Sequence, residues 1–359
     1  MATELIRRLE LAGTPRERGR RHGELLAGEV RRMRRGLLGY LARISLGLGT
    51  LPLFWLLLRM CRRYWPHLPV RLKEEVLGVA AGAQVGLGTI LLINVIDDLA
   101  HNFSGCSALA VGEGYTRGGV CLLGRTLDYP IFIDLLIKHQ MLFVMEPDEG
   151  QPLASLAWPG YVGVCTGLNR AGVALAQLAA MTTDRTYQGV PAALRFRQAL
   201  ESEATVAGVA TRILGTSGTM GNNLMLCGPR EALALEVSAH RGVVRYPEAG
   251  LLTATNHFQT AAMEAVKAPH PKRLPFSPLS DYHFTEDYSR ARDRRLRDLA
   301  RGRTLDVEEI HAVLADPDIA NPGTAVCTIF SPAAGTLWVA RGDRAPMSQG
   351  PLQAVKLWG

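Results

Sequence analysis

The step Ser104-Gly105-Cys106 divides the chain into two textures, and that division limits the folds open to it. Upstream, residues 3–41 and 70–94 place apolar side chains at helical spacing, with Gly13-Thr14-Pro15 as a break before a surface helix over 16–26. Downstream the period shortens. Residues 107–111, 119–123, 142–145, 162–165, 223–227, 232–237, 243–246, 324–330 and 336–339 read as strands, with Gly, Pro and Asp turns between them. Residues 167–175 read as a hairpin turn. Residues 191–214 and 287–301 return to helix, and 269–280, with four Pro, reads as a loop. Short strand runs of this kind favour antiparallel sheets covered by helices, an α+β fold. No linker of disordered composition separates the parts, and no internal repeat is visible.

Cys106 stands where a polar turn meets an apolar strand. Cutting between Gly105 and Cys106 would free an α-amine beside the thiol, and that amine can serve as the thiol's own general base. Its pKa, about 7.7–8.0 when unperturbed, suits proton transfer near neutrality. Eighteen residues on comes Gly124-Arg125-Thr126-Leu127-Asp128-Tyr129. Arg125 and Asp128 are read at i and i+3, where a strand gives way to a turn. A thiolate needs a nearby cation and a new ammonium needs a carboxylate, so the pair has a use here beyond a surface ion pair. Asn169 reads as a turn residue with a side-chain amide. Asn256, after the apolar run that begins at Leu251, can donate to a developing oxyanion. Its neighbour His257 raises a Cys–His dyad as an alternative. Arg292 lies in a charged helix, where single residues are hard to assign from period alone.

Composition removes several classes. The formal charge of +7 rests on 35 Arg against 5 Lys, with only 6% aromatic residues and no basic run interleaved with them, so nucleic acid is not an expected partner. Six scattered Cys at no metal-ligand or C-x-x-C spacing describe neither a zinc site nor a disulfide framework. They suit a reducing, cytoplasmic setting. The first twenty residues lack the apolar core of a signal peptide.

Taken together these runs resemble the N-terminal nucleophile (Ntn) hydrolase superfamily. Within it they are most similar to the acyl-CoA:6-aminopenicillanic acid acyltransferase (isopenicillin N acyltransferase) family, with choloylglycine hydrolases and acid ceramidase-like amidases more distant. The runs that carry the resemblance are residues 13–23, residues 78–83, Gly105-Cys106, residues 124–129, Gly167-Leu168-Asn169 with Gly172, Gly189-Val190-Pro191, Thr255-Asn256-His257-Phe258, and Ser289 with Arg292. Thr126 and Tyr129 depart from the family's Asn and Trp. The resemblance implies an αββα sandwich of two antiparallel sheets between helical layers. It implies self-cleavage into residues 1–105 and 106–359, packed together as one domain, with Cys106 as nucleophile and new N-terminus. Arg125 and Asp128 follow as its electrostatic partners, Asn169 and Asn256 as oxyanion or substrate donors, and Arg292 as an orienting residue. The implied activity is cleavage of a linear, non-peptide amide with a lipophilic acyl group, with no metal or organic cofactor. Acyl-CoA-dependent N-acyl transfer on the same fold is the first alternative. A non-enzymatic protein of lipid surfaces is the second.

Residues 44–58 form a charge-free apolar stretch between Arg43 and Arg59, too short for the roughly 20 residues of a membrane span. Two readings are open: a core helix, or an apolar lip over the acyl pocket that rests on an anionic membrane with its Arg neighbours at headgroup depth.

Overall fold

Thr14 sets the first boundary. Its hydroxyl accepts the N–H of Glu17, the Glu17 carboxylate accepts the N–H of Thr14, and Pro15 takes the first helical position. What precedes this capping box is a strand, β1 (Arg8–Gly13), and not the helix expected over 3–41. Leu9 and Leu11 turn inward while Arg8, Glu10 and Ala12 face out, a period of two hidden by the Arg-rich surroundings. The computed structural model describes residues 6–100 and 105–358. Thr3, at the start of that expected helix, and Ser104, before the Gly-Cys step, lie outside the described residues.

Five helices follow: α1 (Pro15–Leu25), α2 (Ala27–Ile44), α3 (Thr50–Cys61), α4 (Val70–Ala83) and α5 (Leu87–Ala100). The helical pattern over 70–94 is therefore two helices, because Gln84 takes a left-handed conformation (φ 55°) that ends α4. Helices α1 and α4 touch backbone to backbone. A Cβ on Gly19 would sit 2.1 Å from the carbonyl oxygen of Glu75, and one on Gly82 would sit 2.1 Å from that of Arg20. Gly23 and Gly78 complete the same seam. The glycines of the two upstream motifs thus permit a helix contact that no side chain could share.

After Gly105 the chain alternates as its strand-rich texture suggests: β2 (Gly105–Val111), β3 (Leu122–Asp128), α6 (Ile133–His139), β4 (Met141–Pro147), β5 (Leu153–Ala157), β6 (Thr166–Asn169) and β7 (Ala174–Ala179). Helices α7 (Ala192–Ser202) and α8 (Val206–Leu214) precede β8 (Asn222–Cys227), β9 (Ala232–Val237), β10 (Gly242–Arg245) and β11 (Leu251–Ala254). The remainder is α9 (Ala261–Glu264), α10 (Glu286–Ala300), α11 (Val307–Leu314), β12 (Thr324–Ser331), β13 (Thr336–Ala340) and β14 (Leu352–Lys356). Two expected strands move. Residues 162–165 form a connection, with β5 and β6 to either side, and the run read at 119–123 belongs to β3, which extends to Asp128. Arg125 and Asp128 consequently sit inside a strand, not at a turn.

Eight strands form one sheet in the order β1-β4-β5-β6-β7-β8-β9-β10, and six form a second, β11-β2-β3-β12-β13-β14. Every pairing but β1–β4 is antiparallel. Cys106, Ala108, Leu123 and Leu127 from the second sheet pack against Leu142, Ala154, Ala176 and Met225 from the first. The first sheet's other face packs on α2–α5, α7 and α8, with α1 adding His22 against Phe143, and the second sheet's other face on α10 and α11. The four layers run helix, sheet, sheet, helix, which is the expected αββα order.

Candidate active site

Register places the site. In the β2–β3 pair Gly105 lies opposite Asp128 and Cys106 opposite Leu127. Strand alternation then turns Cys106 and Arg125 into the space between the sheets, and Asp128 toward the α10 layer. Arg125 spans the gap. It donates to the hydroxyl of Thr166 on β6, to the carbonyl of Gln177 on β7 at 2.8 Å, and to Cys106 Sγ at 3.4 Å. Both Cys106 and Arg125 are fully buried.

The nitrogen of Cys106 donates to Asn256 Oδ1 at 2.7 Å. Asn256 Nδ2 donates to the carbonyl of Ala179 at 2.9 Å. The amide therefore turns its oxygen, and not its nitrogen, toward Cys106 N. Arg292, from α10, fixes this arrangement by donating to Asn256 Oδ1 at 2.7 Å, to Cys106 O at 2.5 Å and to Ser107 Oγ at 2.8 Å. Its guanidinium stacks 4.5 Å from the Tyr288 ring centroid and lies 3.9 Å from Asp128 Oδ2. Asp128 accepts from Asn321 Nδ2 at 2.6 Å and from Thr324 Oγ1 at 2.7 Å. A Cβ on Gly105 would come within 2.9 Å of Asp128 Oδ2, so only glycine lets this carboxylate lie against the backbone there.

In the continuous chain the Cys106 thiol is pushed above its ordinary range by burial, which outweighs the lowering by Arg125 and Arg292, with Asp128 raising it further. His257 does not help it. Burial lowers the imidazole to about 4, and its Nδ1 faces the hydroxyls of Thr255 at 3.0 Å and Ser289 at 2.9 Å. Its Nδ1 is thus turned to these hydroxyls and not to the thiol, which gives the dyad alternative no support.

Asn169 does not join the cluster. Its oxygen accepts from Val173 N within the β6–β7 hairpin, and its Nδ2 donates to the carbonyls of Leu200 and Glu203 where α7 ends. Those bonds tie a turn to a helix end, which is the turn-residue reading and not that of an oxyanion donor. Conversely, Thr166, Gln177, Asn321 and Thr324 join the cluster through Arg125 and Asp128. Only Asn321-Pro-Gly, a turn signal just before a strand, offered any sequence clue.

Leu127, the register partner of Cys106, also lines an apolar cavity of about 250 Å³. Its walls come from α2 (Leu37), α3 (Phe54, Leu57), α5 (Ile93, Ile96), and Trp158 and Tyr161. Tyr129 lines it too and donates its hydroxyl to Asp97 Oδ1 at 2.5 Å. Burial raises the Asp97 carboxyl. Residues 44–58 thus divide by face. Phe54 and Leu57 point to the cavity, while Leu51, Trp55 and Leu56 are exposed. Among the described residues no helix is long and apolar enough to cross a membrane.

A family model described as acyl-coenzyme A:6-aminopenicillanic acid acyl-transferase matches residues 116–345. The match takes in Arg125, Asp128, Asn169, Asn256 and Arg292 and begins ten residues after Cys106. An uncharacterised protein of Archaeoglobus fulgidus is 26% identical over 269 residues, 66% of this chain and 44% of the relative. The protein dcd1A of Dictyostelium discoideum is 24% identical over 243 residues, 60% of this chain and 54% of the relative. The chain spans about half the length of the curated relatives it matches. Among solved structures, a Caenorhabditis elegans ortholog of N-acylethanolamine-hydrolyzing acid amidase aligns with a TM-score of 0.48 at 16% identity, covering 70% of this chain and all of that one. A mutant of the conjugated bile acid hydrolase of Clostridium perfringens aligns with a TM-score of 0.46 at 13% identity, covering 70% and 96%.

Proposed function

We propose that this chain, which belongs to the acyl-coenzyme A:6-aminopenicillanic acid acyl-transferase family, is an amide-cleaving enzyme activated by hydrolysis of its own Gly105–Cys106 bond. The observation that carries the reading is the set of groups around that bond. Arg125 lies 3.4 Å from the thiol, Asn256 Oδ1 holds the nitrogen at 2.7 Å, and Asp128 presses on Gly105. Each group has a use before and after the cut. The amide N–H of Cys106 becomes an amine that Asn256 already holds, with the Asp128 carboxylate close by to orient its charged form. The freed amine takes the thiol proton, and Arg125 favours the thiolate.

The thiolate then attacks the amide carbonyl of a linear substrate. The resulting ammonium of Cys106 protonates the leaving amine, and a thioester on Cys106 remains. Water cleaves the thioester to the free acid and restores the thiol. Asn256 and Arg292 keep the nucleophile's backbone fixed through these steps, and Asn256 Nδ2, which donates to the carbonyl of Ala179 in the continuous chain, is the donor this reading assigns to the oxyanion. The apolar cavity beside Leu127 receives the acyl chain. Residues 1–105 and 106–359 stay together after cleavage, because α2–α5 share one core with the first sheet. A cytoplasmic setting, with contact to a lipid surface, belongs to the same reading. The family's description favours a second outcome, in which acyl-CoA acylates the thiolate with release of CoA, or an amine in place of water takes the acyl group from the thioester; added amine partitions the two.

Gel electrophoresis under denaturing conditions tests cleavage. The purified protein should run as fragments of about 11 and about 28 kDa, by residue share of 39.0 kDa. Cys106→Ala should run as one band and be inactive. A preparation that turns over amides while uncut at Cys106 overturns the mechanism.

A further inference from the structure

Helices α2 and α3 form a hairpin whose tip carries Leu46, Leu48 and Leu51 into solvent, 87%, 94% and 65% exposed. Trp55, one helical turn after Leu51, continues the face at 63%. A second segment joins it. Tyr40 donates to the carbonyl of Pro275, and Arg43 lies over the Phe276 ring at 4.2 Å, so the exposed Phe276 stands beside the tip. An apolar surface of this size on a single chain needs an occupant.

Charge identifies the occupant. Residues 30–73 hold nine Arg and one Lys and no Asp or Glu, so this stretch carries +10 in a chain of net +7 and leaves −3 for everything else. Arg34, Arg35, Arg43, Arg59, Arg62 and Arg63 are exposed around the apolar tip, and among the described residues none of the six makes an ion pair. Along α3, Leu51 and Trp55 give way at the same spacing to Arg59, with Arg62 capping the helix end, an apolar end followed by a cationic collar. Apolar side chains at the depth of acyl chains with Arg at the depth of phosphates is the arrangement an anionic bilayer accepts. A second copy of this chain would instead set two such cationic surfaces face to face.

We propose that the α2–α3 tip, with Phe276, docks this protein on an anionic phospholipid bilayer. The inner faces of the same elements, Leu37, Phe54, Leu57 and Leu274, line the apolar cavity. Docking therefore sets the cavity wall against the membrane, and a lipophilic amide passes from bilayer to cavity between α2, α3 and the loop of Leu274 without crossing water. That last step rests on the amidase reading; the docking does not.

Cosedimentation with vesicles tests it, using phosphatidylcholine alone and an equimolar mixture with phosphatidylglycerol. The full chain should sediment with the mixture, less so as salt rises, and not with phosphatidylcholine alone. Leu48→Glu with Trp55→Glu should weaken binding by about tenfold or more, since two buried apolar anchors become like charges on an anionic surface. Thermal melting checks that the variant folds. Should it not, Leu48→Ser, at a side chain with almost no protein contact, carries the same test with a smaller loss. Running every arm also on Cys106→Ala separates docking from cleavage and catalysis. Failure to bind the mixture, equal binding to both vesicles, or unchanged binding by the variants overturns the proposal. So does a concentration-dependent dimer that the variants abolish without lipid, which would give the face to a second copy.

Discussion

Replacing Arg125 by Leu removes the cation nearest the proposed nucleophile, and the size of the effect can be worked from one distance. At 3.4 Å between Nη2 and Sγ, two unit charges interact by about 5 kcal/mol at an effective dielectric constant of about 20. That is a ceiling of roughly 3.5 pK units at about 1.36 kcal/mol each. Opposite charges at such range in folded proteins shift a partner by about 1–3 units. Arg292 remains on the carbonyl side of Cys106 and keeps part of the field. The thiol pKa should therefore rise by roughly 1–3 units in Arg125→Leu, and the thiolate fraction at neutral pH should fall by about 10- to 1,000-fold. The assay is alkylation of Cys106 by iodoacetamide as a function of pH, followed at that residue by peptide mass spectrometry because five other thiols are present. Arg125→Lys keeps the charge without the planar fork and should move the profile less. Identical profiles for wild type and Arg125→Leu would refute Arg125 as the thiol's partner, whatever happens to turnover.

Asn256→Ala should lower kcat by about 10²–10³, because it removes the group on Cys106 N and a contact of Arg292 together, whereas His257→Ala should cost far less; kinetics on one amide with the reverse ranking would restore the Cys–His dyad. Across acyl amides of one amine, kcat/KM should climb by roughly fourfold per methylene until the cavity is filled, at about 0.8 kcal/mol each. Phe54→Ser should flatten that series while Trp55→Ser leaves it on detergent-free short amides, and a flat wild-type series removes the lipophilic acyl group. Gly82→Ala should destabilise by about 1–3 kcal/mol in denaturant titration, despite the roughly 1 kcal/mol that helix propensity alone would return; a more stable variant would mean that α1 and α4 can move apart.

The layers and the site were legible to different degrees. Cys106, Arg125, Asp128, Asn256 and Arg292 could be picked out because each carries unusual chemistry in a recognisable run, and four separate elements bring them within a few ångströms. Asn169 could be picked out as well, but its role could not: a turn amide and an oxyanion donor look alike until α7 is seen to end on it. The hidden β1 shows another limit. Six residues with Arg and Glu on the outer face are also a helical start, and only the edge of β4 decides between them. Thr166 and Gln177 were beyond reach because their contact with Arg125 crosses from one sheet to the other, and nothing in local spacing encodes that register. Residues 44–58 invited a choice between core and surface, when an amphipathic placement of a nearly all-apolar helix gives both.

Strand β1 has a bearing on how this molecule could be rebuilt. Ile6 N donates to Gln353 Oε1 at 2.9 Å, and Arg8 donates to the carbonyls of Lys356 and Leu357 at 3.2 Å each. The first and last described residues of the chain are therefore neighbours, held on the same edge of the fold. A short Gly-Ser bridge could join them, and the chain could be reopened between Gly105 and Cys106. Such a circular permutant would be synthesised with Cys106 directly after its initiator methionine. An aminopeptidase that removes that methionine would then deliver the proposed nucleophile with its free amine, on a single polypeptide that would not need the proposed self-cleavage. The proposed maturation and the proposed turnover would then become separately measurable properties.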